Sequence, residues 1–268
     1  MYLIFDTETT GLPKKWNAPI SDINNWPRCV QLAWQIHDNL GNCIESKDFL
    51  IKPDGYNIPY DSQKIHGIST ELAERDGHDL LEVLTQFNEA VKNSKFIIGH
   101  NVKFDLNIMG CEFYRLKVKN NLEVSKILDT CYEKTATLCK IPGGRGGKYK
   151  FPTLTELHSY LFSTSFADAH NATADVEATT RCFLELIRIE NYSLQELEQT
   201  GTYFLDFKKQ NTSLIQPIGI NHVNLKKKSA LLLENSNKNN LVSGRVNFKV
   251  SKELLNSNFA HLHNHSQF

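Results

Sequence analysis

The sequence predicts a mixed α/β fold, one sheet with helices packed against it. Three observations predict it. Short apolar, β-leaning runs open the chain and recur up to about residue 130. From about residue 77 they alternate with segments whose apolar residues repeat at helical spacing. Three strand-like runs come first, and helices close the pattern.

The elements follow in order. "MYLIF" predicts a short buried strand at the centre of the sheet. "CVQLAWQIHD" and "CIESKDFLIKP" flank the turn signal "NLGN", giving three sequential strands. "GHDLLEVLTQFNEAVKN" has Leu80, Leu81, Leu84, Phe87, Ala90 and Val91 at helical spacing. "KFIIGHN" is a further strand, and "VKFDLNIMGCEFYRLKV" reads as a helix. "KILDTCYEKTATLCKI" starts as a strand and turns helical after Asp129. "TLTELHSYLF" and "ATADVEATTRCFLELIRIE" are two more helices.

Past residue 190 the pattern weakens. "SLQELEQTGTYFLDF" suggests one further helix and a sheet edge. Lys208 to Asn258 is rich in Asn, Lys and Ser, which marks a linker or a loosely ordered region. The expected division is a domain over 1–190, a partly flexible extension over 191–258 and a separate start at 259–268. There is no internal repeat.

Composition narrows the class. The chain has 268 residues, 40% of them hydrophobic, and a formal net charge of zero. Residues 1–190 hold 21 bases and 25 acids, and the remainder nine bases and five acids. No overall basic field announces nucleic acid. The six cysteines form no CxxC and no zinc-finger spacing with His, which suits reduced thiols in a cytoplasmic protein. No apolar stretch approaches the roughly 18 residues of a membrane span, and "MYLIF" is too short for a signal peptide.

Asp6 and Glu8 end the first strand two residues apart, so they share one face, roughly 6–7 Å apart. Two carboxylates on a buried face repel and resist desolvation. A strand end reaching solvent would explain a lone pair of this kind; a divalent cation would offset both charges. Further acids favour the cation. Asp105 sits in the first turn of a helix after another apolar strand. Asp175 sits in a helix five residues after His170. Hard oxygen ligands without cysteine suit Mg2+ or Mn2+. Four carboxylates suit two such ions about 4 Å apart, the arrangement for in-line attack on a phosphodiester. A histidine beside them can take a proton from the attacking water.

"FDTETTG", "HNVKFD" and "HNATAD" resemble, in order and spacing, the three motifs of the DEDDh class of 3′–5′ exonucleases. The nearest group is the epsilon proofreading subunit of bacterial DNA polymerase III; "KIHGIS" and "ILDT" resemble its intervening segments. The resemblance covers residues 1–190. It implies an RNase H-like mixed five-stranded sheet flanked by helices, followed here by a poorly ordered C-terminal extension. It implies two divalent metal ions. By motif, Asp6 bridges both, Glu8 and Asp175 hold the ion that activates water, Asp105 serves the second ion and His170 is the general base. Thr7, Thr10 and Leu12 match the stretch that contacts the 3′-terminal nucleotide, with Leu12 as a wedge beside the terminal base. Asn101 and Phe104 line the same groove.

Two segments depart from the shortest members of that family. "LPKKWNAPISDINNWPRC" is a longer insertion before the second strand. "KIPGGRGGKYKFPTL" is a Gly-rich basic loop. It is not a P-loop, because Tyr149 follows Lys148 and Pro142 holds the upstream glycine position. It is either a flexible surface loop or a strand-binding element in which Arg145, Lys148 and Lys150 touch the backbone of a frayed strand.

The expected function is a metal-dependent 3′–5′ exonuclease on single-stranded or frayed DNA 3′ ends, releasing 5′-nucleoside monophosphates as a replication proofreader. Two alternatives stay open: an RNA 3′-end trimmer on the same fold, and a non-catalytic polymerase-binding adaptor. A mildly acidic nuclease binds DNA weakly by itself, so attachment to the alpha subunit of DNA polymerase III is the expected partnership. The last ten residues, "FAHLHNHSQF", alternate His261, His263 and His265. They resemble the opening of the PHP domain that begins that alpha subunit, where the HxH pair, here His263 and His265, belongs to a metal site. On that resemblance the polymerase continues in the same natural chain, and residues 206–258 form a tether with a reach of roughly 40 Å. It would hold the exonuclease at around millimolar effective concentration.

Overall fold

Tyr2–Thr9 form the strand β1, with Tyr2 to Phe5 fully buried before the run meets its carboxylates. The computed structural model describes residues 1–166, 171–218 and 223–243. β1 pairs antiparallel with β2 (Cys29–His37), which pairs antiparallel with β3 (Cys43–Leu50). On its other side β1 pairs parallel with β4 (Phe96–Gly99), and β4 with β5 (Lys126–Asp129). The sheet is five-stranded and mixed, in the order β3-β2-β1-β4-β5, as an RNase H-like fold requires.

Side chains alternate across β1, and each face has its own core. Leu3 and Phe5 join Leu32, Trp34 and Ile97 under α3 (Leu80–Lys92) and α4 (Lys103–Arg115). Tyr2 and Ile4 join Ala33, Phe96 and Ile98 under α6 (Leu154–Phe162) and α7 (Ala172–Arg188). α5 (Glu133–Cys139) follows β5 by a short turn, as the pattern after Asp129 predicts. Caps set the helix starts. Asp79 receives the Glu82 N–H at 3.1 Å. Thr153 and Glu156 cap α6 reciprocally.

Packing continues past residue 190. Tyr192, Leu197, Tyr203, Phe207 and Ile215 are buried in the α7-side core. "SLQELEQTGTYFLDF" ends in helix α8 (Tyr203–Gln210), and among the described residues it adds no sheet edge. A third cluster joins Val30 to α2 (Thr70–Asp76) and α9 (Leu225–Ser243) through Leu72 and Leu225, with Ile58 and Ile68 on either side of α1 (Tyr60–His66). The expected tether over 206–258 is therefore corrected over its described first half. Residues 206–218 and 225–232 pack against the domain, because they bring their own apolar anchors and hydrogen bonds. The Ser229 hydroxyl donates to the Gly67 carbonyl at 2.6 Å and accepts the Ser69 N–H. Lys228 pairs with Asp76 at 2.5 Å. The PHP-like residues 259–268 lie outside the described residues.

The insertion before β2 is pinned from α4. Glu112, fully buried, receives Arg28 and Arg115, each at 3.0 Å, and the Cys29 N–H at 2.9 Å. Arg115 in turn donates to the carbonyls of Ile23 and Trp26. All six cysteines are free thiols. No described helix is long and apolar enough to cross a membrane.

Candidate active site

The period-2 alternation of β1 decides where its polar end points. Asp6 and Glu8 fall on the face of Tyr2 and Ile4, towards α7. There Asp175, in the first turn of α7, meets them: ligand oxygens of Asp6, Glu8 and Asp175 lie within 4.8 Å of one another. Thr7 falls on the face of Leu3 and Phe5, towards α4. Its backbone N–H and hydroxyl donate to Oδ1 of Asp105 at 3.1 and 2.6 Å. The four predicted carboxylates thus gather as three plus one, with Asp105 fastened to the far side of the same strand.

Burial and mutual repulsion set the charge of this group. Asp6 is held well above the usual carboxylate range, first by burial and then by Asp105, Asp175 and Glu8. Glu8 is pushed up to about 8 by burial and then by Asp175 and Asp105; the Lys226 ammonium at the start of α9 opposes the rise. Burial raises Asp105 to about 7, against the two bonds from Thr7. Carboxyls so perturbed, offering hard oxygens and no sulfur, fit a divalent cation: its charge replaces the protons they would otherwise keep.

The remaining predicted residues take different places. His170 lies outside the described residues. The chain puts it next to Asn171, which caps α7 by accepting the Thr173 N–H. Thr10 is half-buried and accepts the Arg28 N–H, which ties the end of β1 to the insertion. Thr7 is buried and committed to Asp105, so its side chain supports the site from behind. Leu12 is 73% exposed. Asn101 is exposed, with a left-handed φ of 60°. Phe104 packs against the α4-side core with its ring 5.9 Å from Trp16.

Two positioning residues escaped the sequence reading. Gln31, buried on β2 opposite Glu8, accepts the Ala172 N–H at 3.2 Å and so anchors the start of α7. Its signal was weak, because Gln35 and His37 are further buried polar residues in the same strand. Asp129, at the end of β5, accepts the N–H groups of Asn101, Val102 and Cys131. It holds the left-handed turn that launches α4 and Asp105. The "ILDT" segment carried that signal.

A family model described as Exonuclease (RNase_T) matches residues 3–183. A PolC-type DNA polymerase III of Streptococcus thermophilus is 28% identical over 204 residues, 75% of this chain and 12% of that protein. A DNA polymerase III subunit epsilon-like protein of Rhodobacter capsulatus is 29% identical over 186 residues, covering 69% and 23%. The chain spans less than a quarter of the length of either relative. Among solved structures, E. coli exonuclease I with a dA16 oligonucleotide gives a TM-score of 0.56 at 22% identity, over 74% of this chain and 42% of that one. Its zinc-bound complex with single-stranded DNA gives 0.55 at 23%, over the same shares of the two chains. At that identity the likeness is one of fold.

Proposed function

The chain belongs to the exonuclease family, and from that premise we propose that it is a 3′–5′ exonuclease cutting DNA 3′ ends to 5′-nucleoside monophosphates. The observation that carries the reading is the convergence of Asp6, Glu8 and Asp175 from β1 and α7. These three would hold the divalent cation, Mg2+ or Mn2+, with Asp105 serving a second one from the α4 side. When bound, the cations supply charge neutralisation of the scissile phosphate and acidify the attacking water.

The chain's own residues do the rest. Leu12 wedges beside the terminal base and so orients the last nucleotide. Asn101 and Phe104 line the approach, and Thr10 keeps the end of β1 in register with the insertion. His170, just before the cap of α7, takes the proton of the attacking water. The water oxygen bonds to phosphorus, the bond from phosphorus to the 3′ oxygen breaks, and that oxygen leaves with a proton. The names of the Streptococcus and Rhodobacter relatives support a place in DNA replication, beside or fused to a DNA polymerase III alpha-type subunit.

The test is hydrolysis of a 3′-mismatched primer by the full chain, with and without chelator, with products identified by mass. Release of 5′-mononucleotides that stops in chelator and in Asp6→Ala or Asp175→Ala is expected. Near-wild-type turnover in Asp6→Ala would overturn the assignment. Preference for an RNA 3′ end in the same assay would favour the trimming function, and no hydrolysis of either would favour the adaptor.

A further inference from the structure

The Gly-rich basic loop takes no part in the chemistry above. It forms one wall of an open groove of about 1370 Å³ that runs along α5 and reaches Tyr160 in the last turn of α6 and Glu190 and Asn191 after α7. The lining reverses the charge of the domain around it. Lys134, Lys140, Arg145, Lys148 and Lys150 face two acids, Glu133 and Glu190. Residues 1–190 as a whole carry more acids than bases, 25 against 21. A cationic cleft in an acidic domain focuses its field on a polyanion.

The pairs already formed there are weak competitors. Lys148 lies 3.0 Å from Glu133, yet the two side chains are 74% and 76% exposed, so solvent screens the pair. Lys134 and Lys150 pair with Glu196 and Glu156 from partly exposed positions. Lys140 and Arg145 are exposed, and among the described residues neither has an ion-pair partner.

Aromatic rings alternate with these cations. Tyr149, Phe151 and Tyr160 line the groove and are 45%, 56% and 49% exposed, which leaves their faces open to stacking. Gly146 and Gly147 hold φ of +68° and +75° with open space where a Cβ would sit, so a phosphate chain can approach the backbone.

One edge of the groove is tied by hydrogen bonds to the turn that launches α4. Its wall α5 begins at Glu133, just past Asp129. At its other edge Phe151 adjoins Pro152, whose carbonyl accepts the Nε2–H of His100 at 3.0 Å. His100 precedes Asn101 of the second motif.

We propose that this groove binds the upstream segment of a single-stranded nucleic acid whose 3′ end lies at Asp6, Glu8 and Asp175. Phosphates sit on the cations and bases stack on the three rings, a pairing that tolerates any sequence. The proposal rests on the nuclease reading for its polarity alone.

The test uses the full chain in EDTA, so that binding is read without turnover. Anisotropy of a labelled oligonucleotide of about 16 nucleotides is followed over a range of salt, beside a labelled trinucleotide. In the Lys140→Gln, Arg145→Gln, Lys148→Gln triple variant the long strand should bind at least about tenfold more weakly, with a salt slope smaller by about 2. Trinucleotide binding should not change. Tyr149→Ala with Phe151→Ala should weaken long-strand binding and leave the salt slope unchanged. Thermal melts show that each variant is folded. Equal affinity and slope for wild type and triple variant would overturn the proposal. With cation added, hydrolysis of the trinucleotide by both proteins tests the nuclease reading separately: its absence beside intact groove binding removes that reading and keeps the groove.

Discussion

The Thr7 hydroxyl stands 2.6 Å from Oδ1 of Asp105, and the Thr7 backbone N–H donates to the same oxygen. One residue between Asp6 and Glu8 thereby ties the opposite face of β1 to the first turn of α4. Thr7→Val keeps the shape and removes the hydroxyl. It leaves a buried carboxylate oxygen short of a partner, at a cost of about 1–3 kcal/mol. Activity should fall while Thr7→Ser restores most of it. Denaturant melts and primer hydrolysis measure both, and an unaltered Thr7→Val enzyme would show that Asp105 needs no such support.

The raised carboxyls give stability a pH dependence. Glu8, held at about 8, keeps its proton in the folded chain at pH values where the unfolded chain has lost it. The native state therefore binds more protons from the ordinary carboxylate range up to about pH 8, and stability falls as pH rises through that window. Below about pH 6.5 His100 acts the other way, since burial lowers it to about 4 and the unfolded chain then binds the extra proton. In chelator, the Glu8 carboxyl alone should lower stability by about 1.5–2 kcal/mol as pH rises from 6.5 to 8. Millimolar Mg2+ or the Asp6→Asn, Glu8→Gln pair should flatten the slope. A melting temperature in chelator that does not move with pH would contradict this electrostatic picture.

Glu112 carries the insertion before β2. With no exposure and two guanidiniums at 3.0 Å, it is the hub that orders residues Ile23 to Arg28. Glu112→Gln removes the charge that balances Arg28 and Arg115 and should cost about 3–5 kcal/mol. Because Thr10 accepts the Arg28 N–H, KM for the primer should rise as well. A loss under about 1 kcal/mol would place the hub elsewhere.

The docking of α9 depends on a missing side chain. Gly67 has φ +79°, and a Cβ there would meet Lys226 Cγ at 2.4 Å and its backbone N at 2.6 Å. Gly67→Ala should release α9 and expose the chain near residue 223 to limited proteolysis. Ser229→Ala removes two buried hydrogen bonds and should do so more mildly, by about 1–3 kcal/mol of local stability. Protease resistance equal to wild type in Gly67→Ala would show that α9 has another anchor.

Much of this protein was legible without coordinates. The apolar runs located the five strands of the described sheet, and helical periodicity located α3, α4, α6 and α7; β1, β2 and β4 are buried almost throughout, whereas the edge strands β3 and β5 hold no fully buried residue. The acids Asp6, Glu8, Asp105 and Asp175 stood out because each ends a strand or starts a helix, where burial and charge conflict. Only the tertiary structure decided how they combine. Strand alternation sends Asp6 and Glu8 to α7 and Thr7 to Asp105, and no spacing in the sequence tells which helix covers which face. α1, α2 and α9 were hidden because short helices, or a helix in Asn- and Lys-rich text, draw their stability from contacts distant in sequence, such as Ser229 with Gly67. Gln31 and Asp129 gained their roles in the same way, by meeting backbone amides that only the folded chain brings to them.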